Sequence, residues 1–373
     1  MKELNIYIDK KILDEEYEIY LKKFLDKHGI KSKFSRVFRD DNNQIIKYDY
    51  YFFLFAKYQP LNFWKKYKDS IINHTPAYKN IYYKNLLIKY LSDDIYTNLK
   101  YLPFSFVVDP KKDNTHNINN NIKIYKKLFE KNNLKNLWIL KPYDGGLGND
   151  IMICKEEDIH KNIRAFKKIV VIQKYIENPL LLNNKKFHIR VYVLIIPNNI
   201  NNICKGYKVY YNNNYFACSS IVDYDEKKIE EKKIHITNAS VQGYKTLDSN
   251  LMFFDKKTIN EILVIDILDK KIKDICKTIF LKENFPNLIN PYQEANCYEL
   301  YGLDFLIDTN ENVWLLEINV SPGLSIQTST VRQKIVPQMM EDMFSLIFSN
   351  ISDIKVSTTV KDLELLGKID YLE

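Results

Sequence analysis

Asp304, Glu317 and Asn319 are the residues of this sequence whose types and spacing point most directly to chemistry. They lie in YGLDFLIDTNENVWLLEINV, Tyr301 to Val320, which reads as two strands joined by a turn over Thr309 to Asn312. With that loop, Asp308 faces Val313, every opposed pair has the same numerical sum, and Asp304 lies opposite Glu317. Opposed side chains sit roughly 4.5–5.5 Å apart at Cβ, so two like charges there destabilise the sheet unless something neutralises them. The period-2 alternation puts Asn319 on the face of Glu317, which adds an amide oxygen to two carboxylates. That donor set suits a hard cation, and Mg2+ completed by phosphate oxygens and waters is the natural occupant. Leu303, Phe305 and Ile307 against Trp314, Leu316 and Ile318 are expected to pack on the other face. Two acids on a solvated sheet face are the plain alternative, and the remaining motifs decide between the two readings.

Lys141 ends the strand-like WILKP and is followed by Asp144-Gly145-Gly146-Leu147-Gly148. A lysine beside a glycine-rich hairpin loop can surround phosphates with an ammonium and unshielded N–H groups. No G-K-[ST] closes the loop and no helix opens from it, so it is neither a Walker A loop nor a dinucleotide fingerprint. The apolar strand from Val170 ends in Gln173-Lys174-Tyr175-Ile176, whose backbone could meet an adenine edge. Lys186, His188 and Arg190 alternate with Phe187, Ile189 and Val191, so a strand aims the polar three one way. Only Arg36, Arg39, Arg164, Arg190 and Arg332 occur in a lysine-rich chain, which makes Arg190 a planar fork for phosphate or carboxylate. His235 and Lys84, taken singly, read as a turn histidine and a solvated helix lysine.

Several elements must position these groups. A strand over Leu4 to Ile8, a helix over Glu15 to Lys27 and a strand over Tyr50 to Ala56 form an opening α/β unit. A helix over Tyr82 to Leu91 and an extended stretch over Leu102 to Val108 lead to Lys111 to Asn121, which reads as an Asn-rich disordered loop. Strands at WILKP, IMIC, Val170 onward and Lys186 to Ile196 surround a helix over Glu156 to Lys167. Further strands are expected within Tyr207 to Ser220, then a helix over Lys257 to Lys282, the hairpin, and a closing helix from Val331 to Phe348.

The 373 residues are 46% apolar, enough for two or three domains with cores and too apolar for a disordered chain. Five cysteines with no C-x-x-C pair indicate neither a disulfide framework nor zinc, and a reducing compartment. The start has no apolar core of a leader, and no run reaches membrane-spanning length, so a soluble cytoplasmic protein without a membrane partner is expected. The formal charge of +8 comes from lysines spread along the chain rather than a stripe, which argues against nucleic acid as a partner.

At VIQKYIENPLLL (Val171 to Leu182), KFHIR (Lys186 to Arg190), HITN (His235 to Asn238) and the hairpin through EINVSPGL, the sequence resembles the tubulin tyrosine ligase and ligase-like family of ATP-grasp enzymes. The resemblance runs from about Lys84 to Phe348. It implies an α/β ATP-grasp fold with domains 1–80, 81–180 and 181–350 and a tail 351–373, ATP being clamped between two lobes. It implies ATP contacts from Lys84, Lys141, Gly145, Gly146, Gly148, Gln173, Lys174, Tyr175, Ile176, Lys186, Asp304 and Asn319. Metal ligands would be Asp304, Glu317 and Asn319; Lys186, Arg190 and Glu317 would be catalytic. His188, Arg190, Asn212 and Asn238 would face the substrates. The implied reaction joins a free amino acid to a carboxylate of the α-tubulin tail through an acylphosphate, in a cytoskeleton-associated setting.

Three positions depart from the family pattern: His188 stands where the family has Asp, Asn212 where it has Arg, and Gly243, with Lys245 nearby, where it has Lys. The nucleotide side is kept and the acceptor side altered, so retained ATP binding with a changed amino-acid preference is expected. Chain length favours tyrosine addition, which is the leading expectation, whereas EINVSPGL is closer to the glutamylating and glycylating members, the alternative. A nucleotide- and tubulin-binding pseudoenzyme is the rival reading, opposed by the intact acids.

Overall fold

Alternation along the strands sets the architecture, since successive side chains of one strand feed two different cores. The computed structural model describes residues 3–9, 15–53, 62–92, 100–112, 115–129, 136–200, 203–243, 252–293, 296–326, 329–351, 356 and 360–371. β1 (Leu4–Ile8), β2 (Ser32–Ser35), β3 (Tyr50–Phe52) and β4 (Ile71–Asn73) form a parallel set beside helix α1 (Glu15–Lys27). β5 (Ser105–Val108), β6 (Leu137–Pro142), β7 (Met152–Lys155) and β8 (Val170–Lys174) make a separate antiparallel sheet in the order β5-β8-β6-β7. The remainder is β9 (Leu181–Leu182), β10 (Lys185–Ile200), β11 (Ile203–Asn212), β12 (Phe216–Ser219), β13 (Phe253–Asp255), β14 (Cys297–Ile307), β15 (Val313–Val320) and β16 (Leu363–Asp370).

β4 pairs in parallel with the start of β14, Ile72 against Cys297, so the strands of the opening unit continue into the large sheet. β10 is flanked by β14 on one side and by β12, then β11, on the other. Val191, Val193 and Ile195 enter one core, while Tyr192, Leu194 and Ile196 enter the other. Helix α2 (Lys84–Leu91) brings Leu87 and Leu91 to the first of these. Helix α3 (Thr115–Phe129) covers the small sheet with Ile118, Ile122 and Tyr125. Helix α4 (Ile265–Phe280) packs Ile272, Ile275 and Ile279 against the first core of the large sheet; helix α5 (Thr330–Ile351) packs Val336, Met339 and Phe344 against the second.

Some expectations are corrected. The Asn-rich stretch is not a disordered loop: Ile118, Ile122 and Tyr125 recur at helical spacing, and the asparagines occupy the outer face of α3. Glu156 to Lys167 breaks into short turns of helix, because only Ile159 and Ile163 are buried there. Lys257 to Lys282 is two helices, with Asn260 Oδ1 accepting the Ile265 amide at the break. β3 ends at Phe52, and residues 54–56 of the expected strand lie outside the described residues. The segment 351–373, read as a tail, carries β16 on the edge of β11; the Asp342 carboxylate accepts the amides of Lys361, Asp362 and Leu363 and fixes its entry.

Candidate active site

Asp304 does face Glu317, although the ladder that brings them together is irregular. From Tyr301–Val320 to Asp304–Glu317 the pairs follow the expected register, and beyond a bulge they run Phe305–Leu315 to Ile307–Val313. Leu316 is the extra residue. A bulged pair opposes one partner residue together, so Leu316 lines the cleft beside Glu317, and Val313 and Leu315 take the core face with Phe305 and Ile307 in place of the expected Trp314 and Leu316. Asp308 lies in the loop, where its carboxylate accepts the Asn310 and Asn312 amides and the Trp314 indole N–H.

Asn319 donates Nδ2 to Asp304 Oδ2 at 3.3 Å and to Glu317 Oε1 at 3.2 Å, so one amide bridges both carboxylates. Turning that amide over presents Oδ1 instead, and the three side chains then form an all-oxygen donor set that fits a hard divalent cation. Arg190 grips Asp304 from β10 with Nε at 2.6 Å and Nη2 at 3.0 Å. Lys84, at the start of α2, reaches Gly145 O at 2.6 Å and Glu317 Oε2 at 3.3 Å, tying the glycine loop to the hairpin. Burial alone would raise the Glu317 pKa, but Lys84 and Lys141 outweigh it and hold the carboxyl at about 2.

Lys141 and Lys186 are buried ammonium groups on facing sheets. Burial pushes Lys141 down to about 8, partly restored by Glu317, and Lys186 down to about 7. Lys141 Nζ donates to Gln173 Oε1 at 2.7 Å. Lys186 Nζ donates to the Tyr175 hydroxyl at 2.7 Å, and that hydroxyl meets His235 Nδ1 at 2.8 Å. His235 Nε2 lies 3.0 Å from the Lys228 carbonyl, which needs a proton there and leaves Nδ1 as the acceptor for Tyr175. The chain from Lys186 to His235 is therefore directional. His188 Nδ1 contacts Thr237 Oγ1 at 2.6 Å and its Nε2 is 3.6 Å from Asp304 Oδ1; burial holds the imidazole below its ordinary pKa although Asp304 pulls the other way.

One cleft between the two sheets is lined by Lys141, Gln173, Lys174, Tyr175, Ile176, Lys186, His188, Asn238, Asp304 and Glu317. Ile139, Ile151, Ile236, Leu306 and Leu316 supply its apolar walls; Ile139 follows from the alternation that aims Lys141, and Leu316 could not be read without the bulge. A larger surface hollow of about 1240 Å³ lies outside α3, lined by Lys123, Lys126, Glu156 and His160, and holds none of these groups. Gly148, at φ +72°, sits so close to Val241 and Ile236 that a Cβ would meet them at 2.7 and 3.0 Å. Ser240 Oγ also donates to Leu147 O, so the glycine loop is docked on the 236–241 segment.

Lys174 lines the cleft but turns its ammonium away from it, and Asn212 falls elsewhere. Alternation on β8 sends the Lys174 ammonium to the side covered by α3, where it bonds the Leu137 carbonyl at 2.8 Å and Glu177 and lies near the Trp138 ring. Asn212 is fully buried at the end of β11, its Oδ1 accepting the Asn214 amide, and does not line the cleft. Gly243 takes a left-handed conformation after the 239–242 turn of helix, and Lys245 lies outside the described residues.

The family model of the tubulin-tyrosine ligase family matches residues 63–356. Tubulin glycylase 3C of Tetrahymena thermophila is 30% identical over 226 residues, 57% of this chain and 20% of its own length. A probable alpha-tubulin polyglutamylase of the same organism, Ttll1, is 26% identical over 318 residues, 74% of this chain and 72% of its own. A probable tubulin polyglutamylase of Mus musculus, TTLL2, is 26% identical over 79% of this chain and 53% of its own length. The chain thus spans about a fifth of the glycylases it matches and about half to three quarters of these two polyglutamylases.

Proposed function

The chain belongs to the tubulin-tyrosine ligase family, and on that footing we propose that it is an ATP-dependent carboxylate–amine ligase that adds glutamate or glycine to a tubulin tail. The observation that carries this reading is the pairing of Asp304 with Glu317, with Asn319 beside them and Lys84, Lys141 and Arg190 within reach. The expected tyrosine is not followed: the relatives' names speak for glycine and glutamate.

Asp304, Glu317 and Asn319 would hold Mg2+. Bound there, the ion neutralises charge and orients phosphate oxygens. Lys141 and Lys186, destabilised as bare buried cations, regain their charge beside a polyphosphate. A tail carboxylate attacks the γ-phosphorus, the bond to ADP breaks, and Lys186 and Arg190 stabilise the charge on the transferring group. The neutral amine of the amino acid then attacks the acyl carbon, the bond to phosphate breaks, and the departing phosphate takes the amine's proton. His188, kept neutral by burial, adds no negative charge to the face on which substrate carboxylates approach. The lysine-rich surface suits an acidic tail, and the described residues include no helix long and apolar enough to cross a membrane.

The test is the intact mass of tubulin after incubation with the protein, Mg-ATP and equal tyrosine, glutamate and glycine. A glutamate or glycine increment is expected. A tyrosine increment, or none with ATP binding intact, contradicts the proposal.

A further inference from the structure

Tyr82 brings an unclaimed hydroxyl to the glycine-loop end of the cleft. It ends the turn of helix Lys79–Tyr82, two residues before Lys84. Its ring packs on the first core, with its centroid 6.4 Å from that of Tyr78 and 5.7 Å from that of Tyr83, so the side chain is braced. The residue is nevertheless partly exposed, and its hydroxyl has no hydrogen-bond partner among the described residues. A rigid ring that ends in a free donor is prepared for a ligand rather than for the fold.

The hydroxyl lies against the open side of the glycine loop. Apart from its chain neighbours, Gly146 has only the Tyr82 hydroxyl, among the described residues, within 4 Å of the place a Cβ would take, at 3.7 Å. The corresponding space at Gly148 is filled by Val241 and Ile236. Lys84 Nζ spans the same gap, from Gly145 O at 2.6 Å to Glu317 Oε2 at 3.3 Å. Burial and then the Glu317 charge raise the Tyr82 pKa above its ordinary 10.0, so the phenol is an O–H donor at neutral pH. Asp144, the carboxylate of the loop, is held by Lys168 at 2.7 Å and does not take that donor. Open space over Gly146, bordered by an ammonium, a carboxylate suited to a cation and an O–H donor, fits an anionic oxygen.

We propose that the Tyr82 hydroxyl donates a hydrogen bond to the γ-phosphoryl group of ATP and keeps it while that group passes to the tail carboxylate. This rests on the ligase reading. As the bond from the carboxylate oxygen to phosphorus forms and the bond to ADP breaks, charge spreads over the equatorial phosphoryl oxygens, and a donor fixed beforehand stabilises it. Tyr82 keeps its proton throughout, so it adds a donor without adding a charge beside Lys84, Lys141 and Arg190. The tail carboxylate is the other anion at this end. It must approach in line with the breaking bond, opposite ADP, whereas a group lying on the glycine loop flanks the phosphates. That difference assigns the hydroxyl to the phosphoryl group and makes Tyr82 a further catalytic residue.

The experiment compares wild type with Tyr82→Phe, which keeps the braced ring and removes only the hydroxyl. Calorimetry gives the affinities for Mg-ADP and for the magnesium complex of the non-hydrolysable β,γ-imido analogue of ATP. Hydroxamate formation from Mg-ATP and hydroxylamine is followed against tubulin concentration. The variant is expected to bind Mg-ADP within about twofold of wild type, to bind the analogue about fivefold or more weakly, and to form hydroxamate about tenfold or more slowly. Equal weakening for both nucleotides would make Tyr82 a support of the glycine loop. Wild-type affinities with a wild-type rate would leave the hydroxyl without a role, and a rise confined to the KM for tubulin would give it to the acceptor. Each of these three results overturns the assignment. The comparison of the analogue with Mg-ADP needs no acceptor, so wild-type protein that binds the analogue and yields no hydroxamate would overturn the ligase reading alone.

Discussion

At Glu317 burial and charge oppose each other, and charge prevails. Its folded pKa of about 2 lies below the ordinary 4.5, so its ionisation stabilises the fold above pH 4.5 and that contribution is lost as pH falls toward 2. Glu317→Gln leaves the lysines facing a neutral amide of the same shape; turnover should fall at least about a hundredfold, with the circular dichroism spectrum unchanged. Wild-type single turnover in that folded variant would remove the carboxylate from the mechanism. Lys186 has the opposite sign. Its folded value of about 7 lies below 10.5, so between the two the unfolded chain binds more protons and stability rises with pH. A polyphosphate beside Lys186 restores its charge, so ATP binding at pH 8 should take up protons, as calorimetry in buffers of different ionisation heat would record. Lys186→Met should reduce the uptake, and binding without proton uptake in wild type would refute the assignment.

The elements carry what the residues need, and not all of them could be read from sequence. The Asp304–Glu317 pairing, the Lys186–Arg190 row and the strand ending at Lys141 rest on period-2 alternation, which is local and visible. The Leu316 bulge is not: it depends on where the turn at Asp308 closes, so a uniform register gave the right pair and the wrong face for Leu316. The breaks in the 156–167 and 257–282 helices, and the helix in place of an Asn-rich loop, were set by tertiary burial that composition does not encode. Gly148 is the element-scale test. At φ +72° and against Val241, an alanine there costs about 1 kcal/mol for its backbone alone and must also push the loop off the 236–241 segment. Gly148→Ala should weaken ATP binding at least about fivefold, and unchanged affinity would separate the loop from the nucleotide.

Across the whole molecule, the opening unit is fastened to the hairpin that bears the acids. His74 Nδ1 meets Glu299 Oε1 at 2.7 Å, Glu299 Oε2 accepts the Thr75 amide, and the hydroxyls of Tyr17, Tyr50 and Tyr298 bond one another in the second core. Breaking a buried ionic contact from one side costs about 3–5 kcal/mol. Glu299→Gln should therefore lower unfolding free energy in urea by about that much with the slope unchanged; a loss under 1 kcal/mol would show that the two units are held by apolar contact alone. The fastening matters to the proposed phosphoryl transfer because Lys84 and Glu317, which meet at 3.3 Å, come from different parts of the chain. The most direct test of that transfer is to incubate the protein with tubulin, Mg-ATP and hydroxylamine, without an amino acid, and to map tail carboxylates by mass. Hydroxamate on a tail carboxylate, one for each ADP released and absent with Glu317→Gln, is the predicted result. ADP release without hydroxamate, or hydroxamate undiminished in the Glu317→Gln variant, would contradict the account.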